Sequence, residues 1–167
     1  FQIVDAHEHL PPEKDRLEMQ VDVFTLFASY TKVDLWASGM PKEYWDKIHD
    51  SEVPLERRWE MFAPYLKNIR YGSYARPAFM AAKEFYGFDD IDEGNYRVLS
   101  ERIAAGNTPG VYKRILRDKC RIRVALTVKN RTDYDLDLLR PVALLRTYAG
   151  VRSKKAVDER AESLGEK

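Results

Sequence analysis

Two histidines separated by one residue, His7-Glu8-His9, follow directly on the short apolar run Phe1-Gln2-Ile3-Val4-Asp5-Ala6. In an extended strand successive side chains alternate faces, so His7 and His9 share one face with Asp5, while Glu8 faces away toward solvent. Two neutral imidazoles on one face can grip a single divalent ion, zinc foremost or manganese, at nitrogen–metal distances of about 2.0–2.1 Å. Catalytic sites of this kind take three protein ligands and a water, so the pair amounts to half a site. The only other histidine is His49, which falls in a predicted helix and reads as a surface or core residue. Asp5 is placed either to orient a ligand imidazole or to bond loop backbone. The competing reading of the pair is two solvated histidines in a polar loop.

Metal chemistry at this pair requires a strand that ends beside it, and the pattern provides one over residues 2 to 6. A polar loop then runs over 7 to 20. Val23, Leu26, Phe27, Tyr30 and Val33 recur at helical spacing and predict one amphipathic helix with Gly39 just past its end. Pro41 opens a short helix to about 49. Ser51-Glu52-Val53-Pro54 opens a longer one carrying Leu55, Trp59, Phe62 and Leu66, which Pro64 should kink or divide. Residues 74 to 86 are helix-rich, starting near Pro77 and stopping at Gly87. Asn95 can cap a helix ending at Gly106, and Thr108-Pro109 opens another through Tyr112, Ile115 and Leu116. A second strand follows over 122 to 128, a loop over 130 to 133, a third strand over 141 to 145, and a polar helix over 154 to 164 closed by Gly165. Short strands separated by helices indicate an α/β protein with parallel strands. A pair at the carboxyl end of such a strand sits where open α/β sheets and barrels keep their active sites.

The 167 residues, 44% hydrophobic, suffice for one globular core, and one domain over 1–167 is expected. Lysine plus arginine (28) nearly balances aspartate plus glutamate (27), so neither nucleic acid nor a membrane surface is indicated as partner. The lone Cys120 cannot form an internal disulfide, which fits a reducing, cytoplasmic compartment. It reads as a buried small residue rather than a nucleophile. No apolar run approaches the roughly 20 residues of a membrane span. The chain opens on Phe1 almost inside a strand and looks cut from something longer.

The segment Asp5-Ala6-His7-Glu8-His9-Leu10 after an apolar strand resembles the first-strand metal motif of the amidohydrolase superfamily. Trp59-Glu60-x-Phe62-x-Pro64-Tyr65, Tyr71-Gly72-x-Tyr74-Ala75-Arg76 and Phe85-Tyr86-Gly87-Phe88 are similar to the helical insertion of members related to uronate isomerase, and Asp34-Leu35-x-x-x-Gly39-Met40 fits the same branch. The resemblance covers roughly residues 2 to 127. It implies the amino-terminal portion of a (β/α)8 TIM-like barrel, with a helical insertion at about 20–118 after the first strand. It also implies a divalent metal ion on His7 and His9, and metal-activated water attacking a small polar, carboxylated substrate. Sugar-acid isomerisation or decarboxylation is the alternative chemistry of the same superfamily. The family's further ligands and its proton-transferring aspartate come from later strands, so this chain alone is expected to be inactive.

The resemblance also brings forward Arg76 and Tyr74 as substrate contacts. A guanidinium can clasp a carboxylate through two bonds, and a phenol adds one directional bond. The alternative is an arginine paired with Glu60 or Glu84, or capping a helix. Trp36, Trp45, Trp59, Phe62, Tyr65, Phe79 and Phe85 read as helix core. A reading from another class is a non-catalytic helical interaction module. Its exposed strand edges and apolar helix faces would favour association, leaving a homo-oligomer open.

Overall fold

The computed structural model describes residues 1–27, 30–127, 137–142 and 152–163. The chain divides into two compact units, one made of residues 1–12 and 112–167 and the other of residues 13–111.

The first unit is built on a sheet. Strands β1 (Ile3–Glu8), β2 (Ile122–Thr127) and β3 (Leu139–Pro141) lie in that order, both neighbouring pairs parallel. The Ile3 N–H donates to the Arg121 carbonyl at 3.0 Å and starts the β1–β2 ladder. A π-helical segment, Lys113–Lys119, leads into β2. Ala125, Leu138 and Leu139 are buried, and Tyr112 donates its hydroxyl proton to the Pro11 carbonyl at 2.7 Å. The expectation of the amino-terminal part of a (β/α)8 TIM-like barrel is overturned. Among the described residues the sheet has three strands, with β1 and β3 as its outer members. A barrel closes only when every strand pairs on both sides around eight strands, and among the described residues between β1 and β2 the regular elements are all helices.

The second unit carries helices α1 (Glu13–Glu18), α2 (Thr31–Ala37), α3 (Lys42–Ile48), α4 (Leu55–Ile69), α5 (Arg76–Tyr86) and α6 (Tyr96–Gly106), with a 3-10 turn at Val23–Leu26. A seventh helix, α7 (Lys154–Ser163), belongs to the first unit. On α4, Trp59, Phe62, Leu66 and Ile69 recur every three or four residues and are buried along one face. Phe62 is the hub: its ring meets Phe24 at 5.4 Å edge-on, Phe27 at 4.8 Å and Trp59 at 5.9 Å between centroids. Trp59 stacks flat on Tyr96, 4.4 Å apart, and donates its indole N–H to Glu93. Of the aromatic set read as core, Trp36, Trp45, Tyr65 and Phe79 pack partly buried against this cluster, whereas Phe85 is half-buried outside it. Arg58 is buried here as well. Its guanidinium donates to Asp22 at 2.6 Å and to the carbonyls of Val53 and Ile48, so the charge is both paired and hydrogen-bonded.

The ends of this unit are tied together. The Asn107 side-chain amide faces the carbonyls of Arg16, Leu17 and Met19 at 3.2–3.4 Å, and the Gly110 N–H donates to Glu13 at 2.8 Å.

Several local expectations are corrected. The loop expected over 7 to 20 contains α1, whose six residues carry acidic side chains in the first turn but no apolar repeat. The single helix expected from Val23 is a 3-10 turn and a separate helix α2. Asp22 accepts from the Phe24 N–H while Thr25 accepts from the Asp22 N–H, and this capping box closes the turn locally. Tyr30 and Val33, counted on the apolar stripe, are exposed. Pro64 does not divide α4: it lies on the exposed side, where the Glu60 carbonyl it leaves without a donor can reach water. The segment after Pro109 winds as a π-helix. The third strand begins at Leu139, two residues early, and residues 143–145, the loop at 130–133 and Gly165 lie outside the described residues. Gly39 and Gly87 follow α2 and α5 with φ of +99° and +77°, conformations in which a Cβ is disfavoured.

Phe62→Ala should cost about 3–5 kcal/mol, the usual range for emptying a fully buried aromatic position. Val33→Ala, at an exposed position, should stay within about 0.5 kcal/mol. Urea denaturation of both variants checks the contrast, and equal losses would remove Phe62 from its place at the centre of the core.

Candidate functional site

His7 lies in β1 and His9 one residue beyond its end. The pairing is parallel, so this is the carboxyl end of the strand. The ladder is irregular at this point. Asp5 pairs with Ala125 and Glu8 with Thr127, so three steps along β1 oppose two along β2. The extra residue falls at Ala6-His7, and a bulge of this kind re-aims the side chains around it.

The outcome is convergence of the two imidazoles. Their Nε2 atoms stand 2.7 Å apart, and the rings meet edge-on with centroids 4.6 Å apart. Both rings are exposed. At that separation one Nε2 donates and the other accepts, so one of the two lone pairs already faces the shared space. Two nitrogens bound tetrahedrally to one ion at about 2.0–2.1 Å would stand roughly 3.3 Å apart. The rings therefore need to open by only about half an ångström to chelate. Among the described residues no third His, Cys, Asp or Glu completes a metal-binding group with them.

Two carboxylates hold the backbone on either side of the pair. Asp5 accepts the His7 N–H at 3.1 Å, and Glu8 accepts the Leu10 N–H. Of the two roles open to Asp5, the structure shows the backbone bond. Glu8 corrects the sequence reading: it is 6% exposed rather than solvated, and its Oε1 is buried with no hydrogen-bond partner among the described residues. The bulge is the physical reason, because strict alternation breaks between Asp5 and Glu8.

Arg76 and Tyr74 belong to the helical unit, at the start of α5 and just before it. Arg76 is exposed, and among the described residues no ion pair joins it to Glu60 or Glu84; Glu60 pairs instead with Arg57 at 2.6 Å. Tyr74 stacks on Tyr30 with centroids 5.3 Å apart, and its carbonyl accepts from the Thr31 hydroxyl. No hydrogen bond links Arg76 to Tyr74 among the described residues. His49 is exposed at the end of α3, its Nδ1 against the Trp45 carbonyl at 2.9 Å and its ring 4.2 Å from the Trp45 ring.

No protein-family model, curated protein or solved structure matches this chain.

Cys120 is half-buried between the π-helical segment and β2, and loss of solvent pushes its thiol pKa up. The thiolate is the reactive form, so a raised pKa quiets it at neutral pH. Iodoacetamide at pH 8 should alkylate Cys120 more slowly in the folded chain than in the urea-unfolded chain. Equal rates, followed by mass spectrometry, would show that burial does not protect it.

Proposed function

We propose that His7 and His9 hold a divalent metal ion, zinc or manganese, and that the chain serves metal-assisted hydrolysis of a small, carboxylated molecule. The observation that carries this reading is the convergence of the two Nε2 atoms to 2.7 Å at the carboxyl end of a parallel strand. The resemblance of Asp5-Ala6-His7-Glu8-His9-Leu10 to the amidohydrolase motif supplies the reaction class. A bound divalent ion supplies Lewis acidity and brings the pKa of its water to near neutrality.

The residues of the chain contribute positioning. The bulge at Ala6-His7 turns both rings to one side, and the carboxylates of Asp5 and Glu8 fix the backbone at His7 and Leu10. Holding the ligands in place before the ion arrives reduces the entropy lost on binding. Arg76 and Tyr74, the substrate contacts that the resemblance implies, lie in the helical unit, where both are exposed. Sugar-acid isomerisation or decarboxylation is the alternative outcome on the same ligand pair. The lone Cys120 suits a reducing cytoplasm. Among the described residues no helix is long and apolar enough to cross a membrane.

A second reading, a helical interaction module without catalysis, is favoured by the core enclosed within residues 13–111. Zinc titration of the chain by calorimetry separates the two. One equivalent should bind, and His7→Ala or His9→Ala should each weaken binding tenfold or more, about 1.4 kcal/mol. Unchanged affinity in both variants would overturn the metal reading and leave the interaction module. If zinc binds as expected, hydrolysis is tested on a longer protein that contains this chain, where zinc-dependent release of acetate from N-acetyl amino acids, lost in both variants, is the result that supports it.

A further inference from the structure

The amino-terminal end of the same sheet bears a second concentration of chemistry. A cavity of about 670 Å³ opens there, within the range of small-molecule sites. Arg117, Arg121, Arg123 and Arg140 line it, from the π-helical segment, the turn before β2, β2 itself and β3. Val4 and Val124, register partners across the β1–β2 ladder, form part of its apolar lining. Asp137 is the only carboxylate among the described lining residues.

Among the described residues neither Arg121 nor Arg123 has a carboxylate partner. Arg117 differs: its guanidinium donates to the carbonyls of Asp137 at 2.7 Å and Arg123 at 3.4 Å, and so braces the wall. Arg121 also holds a backbone conformation unfavourable for any residue with a Cβ, at φ +58°, and is the only described non-glycine residue to do so. Glycine or asparagine would suit that position better. A long cation kept there at a conformational cost, beside a second unpaired one, has the mark of a binding group.

We propose that this cleft binds an organic anion, a phosphate or carboxylate head carried on a compact apolar body. Guanidinium groups match the planar, two-oxygen edge of either head and bond it through paired N–H donors. The valines offer the body an apolar surface, so neither half of such a ligand is wasted. Nucleic acid fits less well, because the arginines surround a cavity instead of following a track, and Phe1 is the one aromatic among the described lining residues, too few for a stacking platform.

The test is calorimetric titration of the full chain with phenyl phosphate, benzoate and inorganic phosphate. At least one of the two aromatic anions should bind with one-to-one stoichiometry, and the tighter of them identifies the head. Inorganic phosphate should bind about tenfold more weakly or worse, lacking the apolar half. Arg123→Gln and Arg121→Gly should each reduce affinity about tenfold or more, the effect of losing a charged hydrogen-bond donor. Arg123 is exposed and Arg121→Gly relieves the left-handed backbone, so both variants should retain the parental circular dichroism and a cooperative melt. The proposal is overturned if neither aromatic anion binds, if inorganic phosphate binds equally well, or if folded variants retain full affinity.

Discussion

Parallel strands cannot be joined by a tight turn, so the pairing of β1 with β2 obliges the chain to leave the sheet, fold elsewhere and return in the same direction. That pairing defines both ends of the sheet unit. It places His7 and His9 at the carboxyl end, where the bulge at Ala6-His7 brings their Nε2 atoms together. It places Arg121 at the opposite end, where the Arg121 carbonyl receives the first ladder bond from Ile3. If β1 slipped by one residue, the histidine face and the Glu8 face would exchange. The two chemically distinct ends therefore depend on one register.

The helical unit meets a different constraint, that of enclosing a charge. Arg58 comes from the first turns of α4 into a region bounded by Phe24 and by the ends of α3 and the following loop. An unpaired guanidinium there would be expensive, and Asp22 together with two carbonyls removes that cost. Asp22 also caps the 3-10 turn, so one carboxylate terminates a local element and neutralises a distant helix. This double duty explains why the apolar stripe from Val23 onward does not continue as one helix.

What could be read from the sequence follows the range of the interactions involved. The His7-x-His9 pair was legible because both members lie two residues apart on a strand with a plain apolar pattern, and α4, α5 and α6 because their apolar periods, helix starts and stops at Gly87 and Gly106 are local. The burial of Glu8 is not legible because it depends on a bulge, which is set by partners in β2. Helix α1 is not legible because five polar residues and one leucine carry no period. The arginine cluster is not legible in the sequence because its members come from four segments and only Arg121-x-Arg123 is visible as a pattern. The barrel was inferred from resemblance to longer proteins, and three strands do not close a cylinder.

The ties among Glu13, Asn107 and Gly110 bear on how the sheet can form at all. An unstructured connection between β1 and β2 would make their encounter a closure of about a hundred residues, whereas a folded insert with stapled ends leaves only about ten to close. Under logarithmic scaling that saves roughly 2 kcal/mol of chain entropy. Contacts inside residues 13–111 are also nearer in sequence than the β1–β2 pairs, so the helical unit is suited to fold first and then present its two exits for strand pairing. The small amide of Asn107 thus acts on the order of assembly. It turns the longest-range contact of the sheet, in entropic terms, into a short-range one.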